Sequence, residues 1–425
     1  MTKKIGTQLL AFGALNALAL GVAHADFLKD GKASIDTRNY FFSNDYREAA
    51  GQNKVQEWAQ GLTFKYLSGF TEGDIGFGLD AALMVGIKLD SSPDRSGSGL
   101  LARDAEPRAG GASYSREAKD EYSKLNLTGK VRLYRDTVLQ YGALAPSLGV
   151  LQPSSTRLFS QGFEGTQVTS KAFDGLTLTA GRLDKVRQRD STDYQDISIA
   201  YASGQYSKTS DGNKFNFAAL DYQLSRELSL SYNYGELENV YGQHYVGLKA
   251  KVPMGPGNVV ADARLFSSRD IGASEAGRID NKVYSAIAGY SLAGHTLQGG
   301  YQKIKGDGAF PFLDGTATYL LTELMITNFT KAEQRSWLLR YDYDFAAAGL
   351  PGLAFTLRYV KSDQAQVARV AYEGTERELD TDLGYVVQGG TFKDVGVRWR
   401  HGVMRNNYTR DSDQDRLIVD YTFKF

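Results

Sequence analysis

The chain has 425 residues, 49 basic and 49 acidic side chains, and no cysteine. Those figures exclude a disulfide scaffold, thiolate metal sites and a cysteine nucleophile, and the zero net charge argues against a nucleic-acid-binding chain. Forty-six Gly, 26 Tyr and 21 Phe against 8 Pro favour many strands and turns, and a mean hydropathy of -0.36 reads as soluble unless apolar and polar residues alternate strand by strand.

In chain order, the first element is an address. Lys3 and Lys4 precede an apolar run from Leu9 to Val22, and Ala23-His24-Ala25 has the small-x-small form of an export cleavage site. The expected division is a cleaved signal peptide over residues 1–25 and one domain over 26–425. No later apolar stretch reaches the roughly 18 residues that a membrane-crossing helix needs.

After residue 26 the hydrophobic period is two. Leu125, Leu127, Val131 and Leu133 oppose Asn126, Thr128, Lys130 and Arg132. Leu228, Leu230, Tyr232 and Tyr234 oppose Ser229, Ser231 and Asn233. Trp337, Leu339, Tyr341, Tyr343 and Phe345 oppose Arg340, Asp342 and Asp344, and Leu353, Phe355, Leu357 and Tyr359 oppose Thr356 and Arg358. Val395, Val397 and Trp399 oppose Arg398 and Arg400. The chain ends on Leu417, Val419, Tyr421, Phe423 and Phe425, against Arg416, Ile418, Asp420, Thr422 and Lys424. Alternation at this period gives strands with two different environments. A soluble sandwich and a membrane barrel both produce it, but tyrosine at the ends of the apolar face, the export signal and the final aromatic favour an all-β transmembrane antiparallel barrel. At roughly 9–11 residues per tilted strand plus loops, this length makes about sixteen to eighteen strands, wide enough for an aqueous channel.

Four connections stand out. Ser91 to Tyr122, without a clean period, reads as a long extracellular loop. Leu144 to Ser170 is too apolar for a solvated loop and is expected to fold into the lumen. Tyr301 to Gly315 is a second inward candidate. Ala346 to Gly352 reads as a short periplasmic turn.

Several segments together resemble the OprD-type porins, the outer-membrane carboxylate channels. They are Asp30-Gly31-Lys32, Arg38-Asn39-Tyr40, Glu57-Trp58-Ala59-Gln60-Gly61, residues 150–159 (VLQPSSTRLF), 174–194, 338–345, 349–360, 385–400 and the final strand. Each is weak alone; their order and spacing carry the likeness over nearly the whole exported chain. The resemblance implies an 18-stranded barrel, a monomer or weak trimer, with inward-folded constriction loops and a row of arginines leading small carboxylates through an eyelet. It implies no cofactor and no metal. Its partners would be carboxylate solutes, outer-membrane lipid and lipopolysaccharide, and the assembly machinery that reads Phe425.

The residues fit that picture. A guanidinium on the lipid face costs roughly 2–4 kcal/mol at the midplane, so parity turns Arg38, Lys130, Arg132, Arg340, Arg358, Arg398 and Arg400 inward. Arg157 in Ser154-Ser155-Thr156-Arg157, and Arg189 in Arg189-Asp190-Ser191-Thr192-Asp193, match the family's constriction motifs and are eyelet candidates. Either binds carboxylate or pins its loop through a salt bridge. Asp307 and Asp314 would set an opposing charge across the eyelet, or be solvated turn residues. Arg182 shares parity with Leu176, Leu178 and Ala180, which puts it past the lipid band or beyond a bulge, and it is not counted among the site residues. A barrel hydrolase would need a His beside Ser or Asp, and His244, His295 and His401 show no such spacing; an adhesin is the other class. Within the channel class, residues 152–157 look nearer the branch favouring aromatic and other organic acids than the branch favouring basic amino acids and small peptides. N-terminal sequencing of protein extracted from outer membranes is expected to begin at Asp26; retention of Lys3 would overturn the division at residue 25.

Overall fold

The computed structural model describes residues 29–47, 51–108, 111–134, 136–201, 205–207 and 212–425. The leader read at residues 1–25 lies outside them. The strands are β1 (Lys32–Tyr46), β2 (Lys54–Leu67), β3 (Gly76–Asp90), β4 (Arg103–Arg108), β5 (Gly111–Ala118), β6 (Glu121–Leu133) and β7 (Thr137–Leu144). Next come β8 (Gly162–Phe173), β9 (Leu176–Arg187), β10 (Phe215–Gln223), β11 (Leu228–Leu237), β12 (Tyr241–Met254), β13 (Gly257–Asp270) and β14 (Asp280–Leu292). The last are β15 (His295–Lys305), β16 (Arg335–Asp344), β17 (Leu353–Ala365), β18 (Gly374–Val386), β19 (Gly396–Asn406) and β20 (Ser412–Lys424). Apart from the β4–β5 hairpin, they form one 18-stranded antiparallel sheet in which each strand pairs with its sequence neighbour. β1 pairs with both β2 and β20, with Arg38 opposite Gly61 on one side and Asp420 on the other, so the sheet closes on itself.

The period of two decides which residues face out. Leu339, Leu417, Trp337, Leu125, Leu127 and Phe423 are all between 41% and 51% exposed, on an unbroken apolar outer wall. A band of that extent suits lipid and not water. Aromatic rings gather at its edges. His295 stacks on Tyr343 at 4.2 Å, Tyr343 meets Phe345 at 4.4 Å, and Tyr421 meets Phe423 at 4.5 Å, all near the short-turn end. Arg182 stands outside this band at the other rim, 3.3 Å from Glu238. The turn after β16 is a 3₁₀ helix, Phe345–Ala348, capped by Asp344 and ended by Gly349 at φ 82.

The structure departs from the simple two-sided pattern on one half of the barrel. The inner faces of β8 to β15 are apolar at the long-loop end, where Phe163, Leu183, Phe215, Phe217, Tyr245 and Phe266 are buried. They pack against Leu148, Val150, Leu151, Phe310 and Leu313 from the loops after β7 and β15. Alternation assumes lipid outside and water inside; here the inside is loop. Each buried aromatic contributes roughly 1.5–3 kcal/mol to keeping the loops in place. At Gly149 the approach is so close that a Cβ would stand 2.2 Å from the Tyr245 ring, and the Gly149 amide donates to Asn233 Oδ1 at 2.5 Å.

Loop limits also change. The apolar segment starting at Leu144 leaves the lumen at Gly162, where β8 begins, and the second inward loop runs over 306–334, well past Gly315. The segment Ser91 to Tyr122 holds the β4–β5 hairpin, and its Leu100, Leu101 and Ala102 plunge into the barrel against Tyr40, Phe42 and Phe159. The final aromatic joins the seam: the Phe425 amide donates to the Ala33 carbonyl at 3.0 Å while its ring is 77% exposed. Phe425→Ala is therefore expected to lower the amount of heat-modifiable, assembled protein without changing the conductance of the channels that form. Normal yield would count against a role for this ring in assembly.

Candidate functional site: an arginine-lined constriction

Three segments fall inward and are stitched to one another by main-chain bonds. The Ala317 amide donates to the Gln152 carbonyl at 2.9 Å, joining the loop after β7 to that after β15. The Ala200 amide donates to Phe312 at 2.8 Å and the Asp314 amide to Ser198 at 2.9 Å, adding the segment after β9. Gln161 Nε2 reaches the Asp314 carbonyl at 2.9 Å. Pairing of this kind fixes a loop in place, because it uses carbonyls and amides that burial would otherwise leave without partners.

Arg157 sits where these loops meet the wall. Its Nε donates to the Ser98 carbonyl at 2.6 Å, and one Nη to the Thr156 carbonyl and hydroxyl at 3.0 and 3.3 Å. Its guanidinium lies 4.7 Å over the Phe42 ring. Arg189 donates to the hydroxyls of Ser154 (3.0 Å) and Thr156 (2.8 Å). Ser155, exposed, is the neighbour that makes no such contact. Burial first, and then the charges of Arg416 and Arg189, pull the Arg157 guanidinium down from its ordinary value; burial does the same to Arg189, opposed by Asp190. Both stay protonated at neutral pH, as a guanidinium does.

The wall facing them is a ladder of arginines. Arg400 on β19 stands directly across from Arg416 on β20, and Arg340 on β16 from Arg358 on β17. Like charges so placed repel. Carboxylates interleave: Asp382 contacts Arg398 at 2.5 Å and Arg400 at 2.9 Å, Asp380 contacts Arg358 at 2.9 Å, and Asp342 contacts Arg340 at 2.7 Å. Arg416, 2% exposed, has no such relief among the described residues: it donates to Gln414 Oε1 at 2.7 Å and to the Met325 carbonyl at 2.7 Å.

Cavities are stacked along β20. An outer one of about 340 Å³ is lined by Ser412, Gln414, Phe42, Met404 and Arg157. A middle one of about 390 Å³ is lined by Arg416, Arg400, Arg358, Arg340, Arg264 and Glu323. An inner one of about 880 Å³, toward the short turns, is lined by Arg398, Asp420, Thr422 and Lys424.

A closed barrel holding arginine-lined cavities is the architecture, and comparison with known sequences sets the family. The family described as outer membrane porin, OprD family, matches residues 25–425. The chain belongs to the OprD family. It is 32% identical to the porin-like protein GalP of Pseudomonas putida, over 96% of this chain and 94% of that one. It is 31% identical to porin D of Pseudomonas aeruginosa, over 93% and 91%. Among solved structures, Pseudomonas aeruginosa OccK9 (OpdG) superposes with a TM-score of 0.87 at 36% identity, covering 94% of this chain and 100% of that one. Pseudomonas aeruginosa OpdK with vanillate gives 0.85 at 36%, with the same coverage. As an OprD-family barrel the protein is an outer-membrane porin, a substrate-specific transport channel and not an enzyme.

The candidates from the sequence are distributed as follows. Arg157, Arg189, Ser154, Thr156, Arg340, Arg358 and Arg400 come together at or beside the middle cavity. Arg38 lies just below, bound to Asp420 at 2.6 Å and to the Arg157 carbonyl at 3.1 Å. Arg398 faces the inner cavity. Lys130 and Arg132 stand apart, under the β2–β3 turn: Lys130 contacts Asp80 at 2.6 Å and the Ser68 carbonyl at 2.8 Å, and Arg132 lies over Phe70. Asp307 is outside the constriction, paired with Arg278 at 3.2 Å with both side chains exposed. Asp314 is at the loop junction, in the field of Arg189. The acid that does face the ladder is Glu323, whose carboxylate accepts from the Thr318 amide at 2.6 Å and hydroxyl at 2.7 Å, and which burial pushes up from its usual range. Arg416 and Arg264 were also not among the candidates, though Arg416 lies on the polar face of the last strand. Arg264 donates to the Tyr319 carbonyl at 2.5 Å and lies 4.1 Å from that ring; Tyr319 itself is held at φ 57.

Because Arg157 bonds to neutral oxygens, its removal frees no buried carboxylate. Arg157→Gln is expected to leave assembly and heat-modifiability intact and to weaken block by a carboxylate about tenfold or more, the loss of one charged hydrogen bond worth roughly 1.5–3 kcal/mol. Arg157→Lys should also impair block, since an ammonium cannot make the bidentate fork. Single-channel recording with and without benzoate measures both; unchanged block in Arg157→Gln would remove Arg157 from the path.

Proposed function

We propose that this porin takes up small carboxylate-bearing organic acids, aromatic ones among them, through the arginine-lined eyelet, passively and without a cofactor. The observation that carries the reading is the bonding of Arg157, Arg189 and Arg416, whose hydrogen-bond partners among the described residues are carbonyls, hydroxyls and an amide oxygen. They are cations held half-buried or buried beside other cations. A carboxylate entering the middle cavity supplies the missing negative charge, and a guanidinium grips it bidentately. The sites are several and close, so no single one need bind tightly enough to stop release.

The outer cavity offers an aromatic body some apolar contact within a lining that is otherwise polar, with Asn44, Ser98, Thr409, Ser412 and Gln414 among its residues. Phe42, Tyr46, Val55, Met325, Ile326 and Met404 line it, with Arg157 at its floor and Arg410 stacked 4.0 Å over Tyr46. OpdK, a similar protein, has been solved with vanillate. Four of the five arginines of the middle cavity are paired with Asp262, Asp342, Asp380 and Asp382, so a basic amino acid would meet the uncompensated charge of Arg416 there, with Arg157 and Arg189 close by.

The test is a panel of benzoate, pyroglutamate and arginine in planar bilayers and in uptake assays. Benzoate is expected to interrupt the current and to be taken up fastest, pyroglutamate less, arginine least. Raising salt should weaken the interruption, because part of the attraction is screened. Arginine uptake exceeding that of benzoate would overturn the proposal in favour of the basic-amino-acid branch.

A further inference from the structure

The outer and middle cavities share one lining residue, Met325. It belongs to a tight turn over residues 324–327, in which the Leu324 amide donates to the Thr327 carbonyl at 3.0 Å. The turn has little to hold it within its own loop. Its hold comes from β18, which presents Glu376, Glu378 and Asp380 on one face at a spacing of two.

Successive amides of the turn are taken by those carboxylates. The Met325 amide donates to Asp380 Oδ2 at 3.0 Å, and the Ile326 and Thr327 amides to the two oxygens of Glu378 at 2.8 Å each. The Thr327 hydroxyl reaches Glu376 at 3.3 Å. From the opposite side, Arg416 donates to the Met325 carbonyl at 2.7 Å. Glu378 and Asp380 are 0% and 2% exposed, so they face peptide and not the solute path. A third contact is steric. At Gly402 on β19 a Cβ would stand 3.0 Å from Asp380 Oδ1, 3.3 Å from Ile326 Cδ1 and 3.5 Å from Met325 Cβ, so a missing side chain makes room for the turn.

Asp380 also meets Arg358 at 2.9 Å, but Glu378 has no cationic partner among the described residues, and buried acids here work against attraction of anions. Their presence needs a return, and three amides gripped in a row supply it. We infer that Met325 is the size-determining partition between the outer cavity and the arginine-lined one, and that Glu378 and Asp380 are positioning residues that set the width of the passage by holding its turn against β18. The inference rests on the eyelet reading for its place in the path, but its readout does not: width is measured with potassium chloride alone.

The chain has no cysteine, so Met325→Cys carries a single thiol. Assembled Met325→Cys channels in a bilayer are expected to lose most of their current on addition of a bulky anionic methanethiosulfonate reagent. Thr356→Cys, in the wide inner cavity, should lose much less. Labelled Met325→Cys that conducts as before would overturn the partition. For the mooring, Glu378→Gln leaves one acceptor for two amides, and Gly402→Val pushes on the turn without altering charge. Both should show noisier open states of altered conductance in potassium chloride, and Glu378→Asp, with two acceptor oxygens, should be quieter than Glu378→Gln. Quiet traces of unchanged conductance in Glu378→Gln and Gly402→Val would overturn the positioning role. If Glu378→Gln does not assemble, Gly402→Val and the thiol experiment decide. Loss of benzoate preference with Met325 block intact would count against the carboxylate reading and leave this one standing.

Discussion

Arginine donating to a loop carbonyl is the contact on which the interior depends. Arg38 donates to the Arg157 carbonyl, Arg157 to Ser98, Arg264 to Tyr319, Arg358 to Glu323 and Arg416 to Met325, at 2.5 to 3.3 Å. Loops inside a barrel bring carbonyls away from water, and those carbonyls need donors. A guanidinium has five N–H groups and a fixed plane, so it can satisfy a carbonyl with one edge and keep another free. The same residues thus place the loops and charge the lumen. A lysine ladder could supply the charge without this division of labour.

The two halves of the barrel are used differently. Toward the long loops the inner wall of β8 to β15 is largely covered by packed loop; along β16 to β20 it is charged and borders the stacked cavities, which Arg264 of β13 also reaches. The passage is displaced toward the ladder. The wall, by contrast, is uniform, because hydrocarbon tolerates no unpaired amide or carbonyl and every strand must pair on both edges.

Much of this was legible in residue order, and the gaps have physical reasons. The alternation ending at Phe425 located β20 and its polar face, including Arg416. The apolar character of residues 144–170 announced a buried loop, though its last part, from Gly162, is strand β8. Period two could not announce that Phe215, Phe217 and Phe266 face inward, since it distinguishes two environments and the barrel has three: lipid, water and packed loop. Nor could it find Glu323, Tyr319 or Met325. They lie in a stretch without regular structure, and their positions are set by partners on β13, β17, β18 and β20, far away in sequence. Asp307 shows the converse: an acid near an inward loop in sequence, yet turned outward to Arg278.

The seam between β1 and β20 joins residues near opposite ends of the chain; the Thr422 hydroxyl meets Asp36 across 386 positions. Bringing ends together over such a length is not itself prohibitive, since each doubling of a loop adds only about 0.6 kcal/mol. What the seam sets is order in time. The first strand of the wall is made first and its partner last, so β1 keeps an open edge through all of synthesis and export, a standing invitation to pair wrongly. The barrel cannot shut around a chain that is short of its final strand. Closure therefore adds a geometric check of length: a truncated product retains two raw edges, whatever else is read at its final ring.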